Sequence, residues 1–298
     1  MILIVLLQTI FSFSFITFKE ALVYGPPFLS VAIRCFFAAI PLLAYQYYRD
    51  RTKVFFNEEV AWLVFASAFF NIYLTNAYEM WGMNFMTAGK AAFIYNLSPF
   101  MAILMSYLVF DQKLSKRKWI GFAIGFLGFL PILIKQSPSE MGLTHIGFLS
   151  KAEISVIVAA LATAIGWVFT KKLVYHKGYT NAMTNGTGML IAGFICLVQS
   201  YFVESWSFAS GHFAPFFLYS VAGSILSFLI AYSFYIYLLK RYSNTLMSLG
   251  GYMGPFITAF LGWLFLGETV YWTFFLSGGL VLIGLLIFYK DEVTQWLH

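Results

Sequence analysis

Charged side chains are scarce in this chain of 298 residues. Lys, Arg, Asp and Glu together make up 10% of it, whereas 61% of the residues are hydrophobic. Soluble domains are usually about a quarter charged, and so few charges cannot keep so much apolar surface in water. The composition therefore excludes a large soluble core and predicts an integral membrane protein.

Cysteine and histidine are also scarce. The two cysteines, Cys35 and Cys196, both fall within apolar runs, so neither a disulfide framework nor a thiolate metal site is indicated. The four histidines lie in loops or at the end of the chain. No glycine-rich run that opens a helix after a soluble strand indicates a nucleotide site. We therefore predict no bound metal and no cofactor.

Long apolar runs are what the chain has in abundance. A bilayer is crossed by about 17 to 25 residues of α-helix, and ten runs approach that length. The first run has no basic residue before it and no small-residue cleavage site after it, which favours a helix over a signal peptide. The sequence thus predicts an all-α protein with ten transmembrane helices. Predicted helices 1 to 10 lie near 2–18, 28–48, 60–78, 88–110, 119–134, 154–170, 182–202, 213–238, 245–266 and 271–289.

One stretch of the chain occurs twice. Leu97–Leu114 returns as Met253–Val270, with a Pro-Phe pair in each copy, 156 residues apart. An internal repeat decides the fold, so we predict two repeats, residues 1–145 and 146–298. Five helices per repeat is an odd number, so the second repeat enters the membrane upside down. Inverted repeats are typical of secondary transporters that bind solute near the bilayer midplane.

Basic residues are unevenly divided between the loops. If the N-terminus is cytoplasmic, thirteen of the eighteen Lys and Arg residues lie on the inner side, three lie on the outer side and two lie within helices. Lys and Arg in short loops set orientation. Both termini are therefore predicted to be cytoplasmic, in the cell inner membrane. The net charge of +6 then reflects topology, and no aromatic-interleaved basic patch indicates a nucleic-acid partner.

Together these features resemble the drug/metabolite transporter superfamily, in particular its EamA-type members. The residues that carry the resemblance are Pro99 and Pro255, the turn Leu266-Gly267-Glu268, and Lys19, Pro27, Phe28 and Arg34 on helices 1 and 2. The resemblance implies a ten-helix transporter that works by alternating access, with a cavity lined mainly by helices 1, 3, 4, 6, 8 and 9. It also implies that helices 5 and 10 form a scaffold or dimer-forming pair, so a monomer or a homodimer is predicted.

Polar side chains within the helices predict the substrate site, because they are costly in hydrocarbon and usually face the interior or a pathway. Lys90 departs from the family pattern. It is predicted either to meet an anionic group of the substrate, or to pair with Glu79 or reach the outer headgroups. The predicted substrate-binding residues are Gln8, Ser12, Asn71, Tyr78, Glu79, Lys90, Tyr95, Trp167, Tyr232, Ser248 and Tyr252.

Other residues in or near the helices are predicted to have structural roles. Pro99 and Pro255 each remove a backbone hydrogen bond and kink their helices, so both are predicted hinges. Arg34 lies on a peripheral helix, where pairing within the protein is favoured over substrate contact, and Lys19 is grouped with it. Glu268 is predicted to cap a helix or fix a loop.

The sequence favours a transporter over an enzyme. No nucleophile with a base, carboxylate pair or metal set converges, so we predict no catalytic residue and no enzyme. Proton relays usually need titratable groups at depth, and Glu79 is the one credible proton carrier. Exchange or facilitated diffusion of a small polar metabolite is therefore favoured. A channel, or a lipid-handling or structural membrane protein, remains an alternative.

The substrate expectation is narrower. Lys90 with tyrosines and asparagines suits an amino acid or an amino-acid/nucleoside compound. The superfamily includes carriers of amino acids and nucleotide conjugates and, in some intracellular bacteria, carriers that exchange S-adenosylmethionine for S-adenosylhomocysteine. The aromatic content and the missing proton relay make this exchange the specific expectation.

Overall fold

The bundle of apolar helices is the main feature of the computed structural model, which describes residues 2–49, 58–110, 114–239, 241–242 and 244–290. Within these ranges, nine helical segments are long and apolar enough to cross a bilayer, and a tenth has 17 residues. At 1.5 Å per residue the tenth extends roughly 26 Å, close to the thickness of the hydrocarbon core. The predicted all-α membrane fold is confirmed.

The ten helices differ in continuity. Four are uninterrupted: helix 1 (Ile2–Tyr24), helix 2 (Pro27–Arg49), helix 7 (Asn181–Val203) and helix 10 (Trp272–Phe288). The others have two or three segments: helix 3 (Glu58–Ser67, Ala68–Leu74, Thr75–Met83), helix 4 (Ala88–Tyr95, Ser98–Phe110), helix 5 (Lys116–Leu127, Leu130–Ile134), helix 6 (Lys151–Lys171, Lys172–His176), helix 8 (Phe213–Ser224, Ile225–Ala231, Tyr232–Leu239) and helix 9 (Asn244–Gly251, Gly254–Leu266). Between helices 5 and 6 lie a short helix, Pro138–Met141, and an antiparallel hairpin of β1 (His145–Ile146) and β2 (Leu149–Ser150).

The elements of the first half recur in the second. Helices 2 and 7 each hold 23 residues, and both of their ends are 154 residues apart. Helices 4 and 9 both break after eight residues, and both resume after a two-residue turn. Pro99 and Pro255 are each the second residue of the resumed helix, where the missing N–H of proline costs little. Both prolines therefore lie at breaks in the hydrogen-bond ladder.

Helices 3 and 8 share a rarer feature. Both contain a π-helical segment, Ala68–Leu74 in helix 3 and Ile225–Ala231 in helix 8, and both pairs of ends are 157 residues apart. π-Helical turns are uncommon and often occur at functional sites. The π-helical segment is therefore part of the repeated structure, because it occurs at the same place in each half.

The two halves interlock. Helix 1 packs on helix 8 and helix 6 on helix 3, whereas helices 2 and 7, 4 and 9, and 5 and 10 pack on their own counterparts. If each helix of the first half is replaced by its counterpart five helices later, and the reverse, the same five helix pairs result. In the pair of helices 5 and 10 the backbones touch, because a Cβ added to Gly284 would lie 2.3 Å from the Gly125 nitrogen. Small residues permit such close packing in membranes.

Large apolar side chains cover the outside of the bundle. Trp62, Phe194, Phe260, Trp263 and Phe275 are all more than half exposed. Soluble proteins rarely expose apolar surface so extensively. Lipid tails are the environment in which this surface is stable.

Helices 1, 3 and 6 extend beyond their predicted ends, to Tyr24, to Met83 and back to Lys151 respectively. Each extension takes in a charged residue that the hydropathy pattern places outside the helix. These residues are Lys19, Glu79 and Glu153. The first and third are tolerated because they are hydrogen-bonded to protein groups, and Glu79 lies beside a cavity.

Candidate functional site

A cavity of about 240 Å³, here called the central cavity, lies within the bundle. Its wall includes Asn71 and Thr75 of helix 3, Thr163 of helix 6 and Ser227 of helix 8, all near the middle of their helices. Transporters built from inverted repeats bind solute at this depth, between the repeats. The predicted site residues on its wall are Asn71, Glu79, Tyr95, Trp167 and Tyr232.

A second cavity of about 220 Å³ adjoins the first, since Phe11, Phe15 and Tyr95 line both. Besides Tyr95, the predicted substrate-binding residues that line the second cavity are Gln8 and Ser12. Ser12 Oγ donates a 3.0 Å hydrogen bond to the Gly254 carbonyl. Helix 1 is thereby joined to helix 9 at the point where helix 9 resumes.

Hydroxyl groups join helices 3, 4 and 6 along the wall of the central cavity. Thr163 Oγ1 lies 2.9 Å from Thr75 Oγ1 and 3.1 Å from the Tyr95 hydroxyl oxygen. Gly166 allows helices 6 and 3 to touch, because a Cβ there would lie 2.4 Å from the Asn71 backbone nitrogen. These contacts fix Asn71 and Tyr95 in place at the cavity.

Aromatic side chains form much of the remaining wall. They include Phe15 of helix 1, Trp167 of helix 6 and Phe228 of helix 8. The Tyr232 hydroxyl accepts a 3.1 Å hydrogen bond from Asn185 Nδ2 of helix 7. Flat aromatic faces beside hydroxyl and amide groups suit a ligand that combines an aromatic ring with polar groups.

A guanidinium and a carboxyl group also line the central cavity. Arg34 is 4% exposed, its Nη2 donates a 3.3 Å hydrogen bond to Asn76 Oδ1, and its guanidinium lies 3.3 Å from the centre of the Phe18 ring. Among the described residues, no carboxylate oxygen lies within 4 Å of this guanidinium. Glu79 Oε1 is buried and has no hydrogen-bond partner in the same part of the chain. The cavity therefore presents a guanidinium and a carboxyl group that do not form an ion pair.

Arg34 binds protein groups, Asn76 and Phe18, as the sequence interpretation favours. The position of helix 2 differs from that interpretation, because helix 2 is peripheral in the resemblance. In the structure helices 2 and 7 contribute Arg34 and Asn185 to the central cavity, whereas helix 9 lines the second cavity. The interlocked packing of the halves brings helices 2 and 7 inward.

Lys90 lies in a separate cluster at one end of the bundle. Its Nζ donates to Oε1 of Glu140 and of Glu153, both at 2.7 Å, and to the Lys135 carbonyl at 2.9 Å. All three ammonium hydrogens are thus used. Each carboxylate also accepts, through Oε2, the N–H of the residue that caps its own helix. We call Lys90, Glu140, Glu153 and the Lys135 carbonyl the Lys90 cluster.

The cluster corrects the expected surroundings of Lys90. Lys90 is 7% exposed and both of its carboxylate partners are fully buried. The ammonium contacts neither Glu79 nor the central cavity, because Glu140 and Glu153 hold it. A buried lysine bound to two carboxylates and a carbonyl has no hydrogen left to donate to a substrate.

Lys19 and Glu268 lie at the same end of the bundle. Lys19 Nζ donates to the carbonyls of Met83 and Met86, at 2.6 and 2.8 Å. Both Glu268 oxygens accept the Ala88 N–H, each at 2.9 Å, at the start of helix 4. Burial raises the pKa of the Glu268 carboxyl, and the Ala88 N–H and the Lys19 ammonium oppose that rise. Both side chains bind protein groups in this structure.

Three other predicted site residues lie outside the two cavities. The Tyr252 hydroxyl donates a 2.8 Å hydrogen bond to the Gly278 carbonyl and so joins helices 9 and 10. Tyr78 is 37% exposed, and Ser248 is also exposed. The assignment of Tyr78 assumed a regular helical period, which the π-helical segment before it shifts. Tyr252 lies in the two-residue break of helix 9.

Sequence reasoning missed Glu140 and Glu153. A local signal for them exists, because each is the last residue of a Ser-x-x-Glu pattern, which predicts a capping box at a helix start. Both boxes are present in the structure, at Ser137 and Ser150. The pattern predicts the two helix starts, whereas the binding of both carboxylates by Lys90 is visible only in the structure. For Asn185 no local pattern marks its position on the cavity wall.

Comparisons with known proteins agree with this architecture. The S-adenosylmethionine/S-adenosylhomocysteine transporter of Chlamydia muridarum is 28% identical over 298 residues, which cover 98% of this chain and 92% of that protein. The transporter of the same name from Chlamydia trachomatis serovar D is 26% identical over 298 residues, covering 98% and 90%. A solved crystal structure superposes with a TM-score of 0.63 at 14% identity, over 98% of both chains. At that identity the likeness shows the fold alone.

A family model gives the broader assignment. The EamA-like transporter family model matches residues 1–134 and 150–290. This match confirms the predicted superfamily, and it confirms a membrane transporter of a small-molecule substrate over an enzyme. From the apolar helices, the repeated elements and the family match, we conclude that this chain belongs to the EamA-like transporter family.

Proposed function

We propose that the protein exchanges S-adenosylmethionine for S-adenosylhomocysteine across the bacterial inner membrane by alternating access. The observation that carries the proposal is the central cavity, where Arg34 and Glu79 offer opposite charges between aromatic walls. Similarity over nearly the full length to two chlamydial transporters of this pair supports the same substrates.

The chemistry of S-adenosylmethionine matches these groups. The compound joins an adenosine to a sulfonium and to an amino-acid end with an ammonium and a carboxylate. In the proposal the Arg34 guanidinium binds that carboxylate, since its fork of N–H donors suits two oxygens. Glu79 faces positive charge on the substrate. Trp167 and Phe228 flank the adenine ring, and Tyr232 supplies a hydroxyl group.

We propose an orientation in which both termini are cytoplasmic, as the loop charges favour. The Lys90 cluster then lies on the outer side, where it joins helix 4 to the connection between helices 5 and 6. Leu246 stands at the repeat position of Lys90, 156 residues later, so the second half supplies no lysine there. In this orientation the cluster holds the outer side closed.

Alternating access requires the halves to move around the site. In the proposal the repeats 1–145 and 146–298 rock about the central cavity, and the breaks that precede Pro99 and Pro255 serve as hinges. Broken helices at the midplane are a common feature of such transporters. The whole site lies within one chain, so either a monomer or a homodimer of independent units would serve.

Exchange in proteoliposomes tests the proposal. Purified protein in vesicles loaded with S-adenosylhomocysteine should take up labelled S-adenosylmethionine saturably, and faster than vesicles loaded with buffer. A channel would show neither saturation nor this acceleration. Unlabelled methionine, adenosine and 5′-methylthioadenosine serve as competitors, and efficient competition by methionine would indicate an amino-acid carrier instead.

A matched pair of variants links the uptake to the cavity. Trp167→Ala removes an aromatic wall of the central cavity and should reduce uptake. Trp62→Ala removes an equally large side chain from the exposed surface of helix 3, where Trp62 is 61% exposed, and should leave uptake unchanged. Equal uptake by both variants would place substrate binding elsewhere.

A further inference from the structure

Glu79 is the carboxylate on the wall of the central cavity among the described residues. Its Oε1 is buried and lacks a hydrogen-bond partner within the described chain. Burial removes the hydration that stabilises a carboxylate anion, so an unpaired anion at this position is unfavourable. The group therefore needs either a cation or a proton when the cavity closes.

The neighbouring helices do not supply that cation. Arg34 on helix 2 acts on Glu79 electrostatically, but it is held more than 4 Å away against Asn76 and Phe18. Lys19 on helix 1 donates to backbone carbonyls, and Glu153 on helix 6 belongs to the Lys90 cluster. Other titratable groups toward the middle of the helices around the cavity include Cys35, Tyr73, Tyr78, Tyr95, Cys196 and Tyr232. Free thiols and phenols ordinarily titrate well above neutral pH.

The two proposed substrates differ by one positive charge. Both carry an ammonium and a carboxylate, which balance one another. S-Adenosylmethionine adds a sulfonium, whereas the sulfur of S-adenosylhomocysteine is an uncharged thioether. A cavity that carries both compounds must therefore accommodate a change of one charge in a medium of low dielectric constant.

We propose, on the basis of the function proposed above, that Glu79 compensates this charge. Glu79 is a carboxylate when the cavity holds S-adenosylmethionine and a carboxylic acid when it holds S-adenosylhomocysteine. One proton therefore leaves with each S-adenosylhomocysteine as one S-adenosylmethionine enters. Arg34 cannot perform this role, because a guanidinium does not lose its proton in proteins.

The charges balance over the cycle. During import, the sulfonium and the Glu79 carboxylate neutralise one another. During export, the thioether and the Glu79 carboxyl group are both neutral, and the proton bound from the cytoplasm is released outside. Arg34 pairs with the substrate carboxylate in both directions. The loaded protein has the same charge both ways, so the exchange moves no net charge across the membrane.

Proteoliposomes that contain S-adenosylhomocysteine and a pH-sensitive dye test this inference. A potassium gradient with valinomycin sets the membrane potential. When labelled S-adenosylmethionine is added outside, the lumen should become alkaline by one proton for each molecule taken up. The initial exchange rate should not change when the membrane potential is reversed.

The variants separate charge compensation from structure. Glu79→Gln keeps the size and polarity of the side chain, and should abolish the proton movement and make the remaining exchange sensitive to membrane potential. Its affinity for S-adenosylmethionine should fall about tenfold, because the Coulomb attraction between the carboxylate and the sulfonium is lost, with little change for S-adenosylhomocysteine. Glu59→Gln alters a carboxylate that is 63% exposed at its side chain and paired with Lys177, and should behave as wild type.

The possible outcomes distinguish this inference from the proposed function. Wild-type exchange that is driven by membrane potential and moves no proton would overturn the role of Glu79 and leave the exchange function intact. Glu79→Gln protein that still moves one proton per molecule would also overturn it. Wild-type protein that binds and transports neither compound would overturn both proposals.

Discussion

At the scale of single residues, Arg34 and Glu79 have different expected effects on specificity. The carboxylate that Arg34 is proposed to bind is present in both substrates, whereas the sulfonium is present in one. Changes at Arg34 should therefore weaken both substrates alike, and changes at Glu79 should separate them. Measuring the affinity for each compound therefore separates the role of Arg34 from that of Glu79, whereas a loss of transport alone would not.

We predict that Arg34→Lys weakens both compounds about tenfold, because a compact ammonium replaces a fork of donors that bonds a carboxylate through two oxygens. Competition binding to the purified protein measures this loss. 5′-Methylthioadenosine, which lacks the amino-acid end, is the control ligand and should bind wild type and variant equally. Weakening of that ligand to the same degree would show that Arg34 maintains the cavity rather than contacting the carboxylate.

Lys90 leads to a prediction about stability. Lys90→Met leaves the carboxylates of Glu140 and Glu153 buried without their shared cation, which costs about 3–5 kcal/mol when one partner of a buried ion pair is removed. The thermal midpoint of the detergent-solubilised protein, measured by size-exclusion chromatography after heating, should fall. Combining Lys90→Met with Glu140→Gln and Glu153→Gln should restore much of it, because glutamine still closes a capping box.

Lys135→Met is the matched control for this series. Lys135 contributes its carbonyl to the Lys90 cluster, and its own side chain is exposed and directed toward Tyr271. Its replacement should leave the midpoint near that of wild type. A triple variant no more stable than Lys90→Met alone would mean that the cluster does not act as an electrostatic unit.

Single residues were the least predictable part of the molecule. A hydropathy reading places Lys19, Glu79 and Glu153 at or beyond helix ends, because it treats each charge as unpaired. Whether a charge can be buried depends on partners distant in the chain, such as Glu153 for Lys90, 63 residues away. One sequence contains no information on such pairs beyond the capping pattern itself. The sequence places Asn71 and Glu79 at the site because they share a stripe of helix 3. It places Tyr95, Trp167 and Tyr232 there because they are aromatic side chains within other predicted helices of the cavity.

At the scale of helices, the sequence predicts the repeat but not the π-helical segments. Apolar run length predicted all ten helices, and the Pro-Phe repeat located the breaks of helices 4 and 9 to within a few residues. The π-helical segments of helices 3 and 8 have no comparable signal, since they depend on how neighbouring helices fit together. They also explain why a regular period misplaced Tyr78.

The contact between helices 5 and 10 gives a prediction at this scale. Gly284→Leu should lower the yield of folded protein, because the new side chain must displace the Gly125 backbone of helix 5. Overpacking of this kind typically costs about 1–3 kcal/mol. Gly279→Leu, five residues earlier on helix 10, meets no atom within 4 Å of the added Cβ and is exposed. It should give the wild-type yield in the same detergent-solubility assay.

The same pair of variants addresses the scaffold interpretation of helices 5 and 10. In this structure their glycines face one another within one chain. If the pair serves as an internal scaffold, Gly284→Leu should reduce folding and leave the oligomeric state of the surviving protein unchanged. Conversion of a dimer to a well-folded monomer would instead indicate that this face joins two chains.

At the scale of the whole molecule, the two ends of the bundle differ although the helices repeat. One end holds the Lys90 cluster and the Lys19 and Glu268 contacts around the start of helix 4. Leu246 stands at the repeat position of Lys90, so the second half has no lysine that could form the corresponding cluster. Among the described residues, the ion pair at the opposite end joins Lys177 to a Glu59 side chain that is 63% exposed, and exposed ion pairs contribute little. The buried Lys90 cluster therefore favours closure at its own end.

The orientation of that end is the last prediction, and impermeant labelling measures it. In a background of Cys35→Ala and Cys196→Ala, which removes both buried native thiols, Ser139→Cys places a thiol on the exposed short helix beside the Lys90 cluster, and Lys116→Cys places one at the exposed start of helix 5. Intact cells should label position 139, and position 116 only after permeabilisation, because the basic loops are retained in the cytoplasm. The reverse pattern would put the Lys90 cluster inside, and its closure would then hold the cytoplasmic entrance.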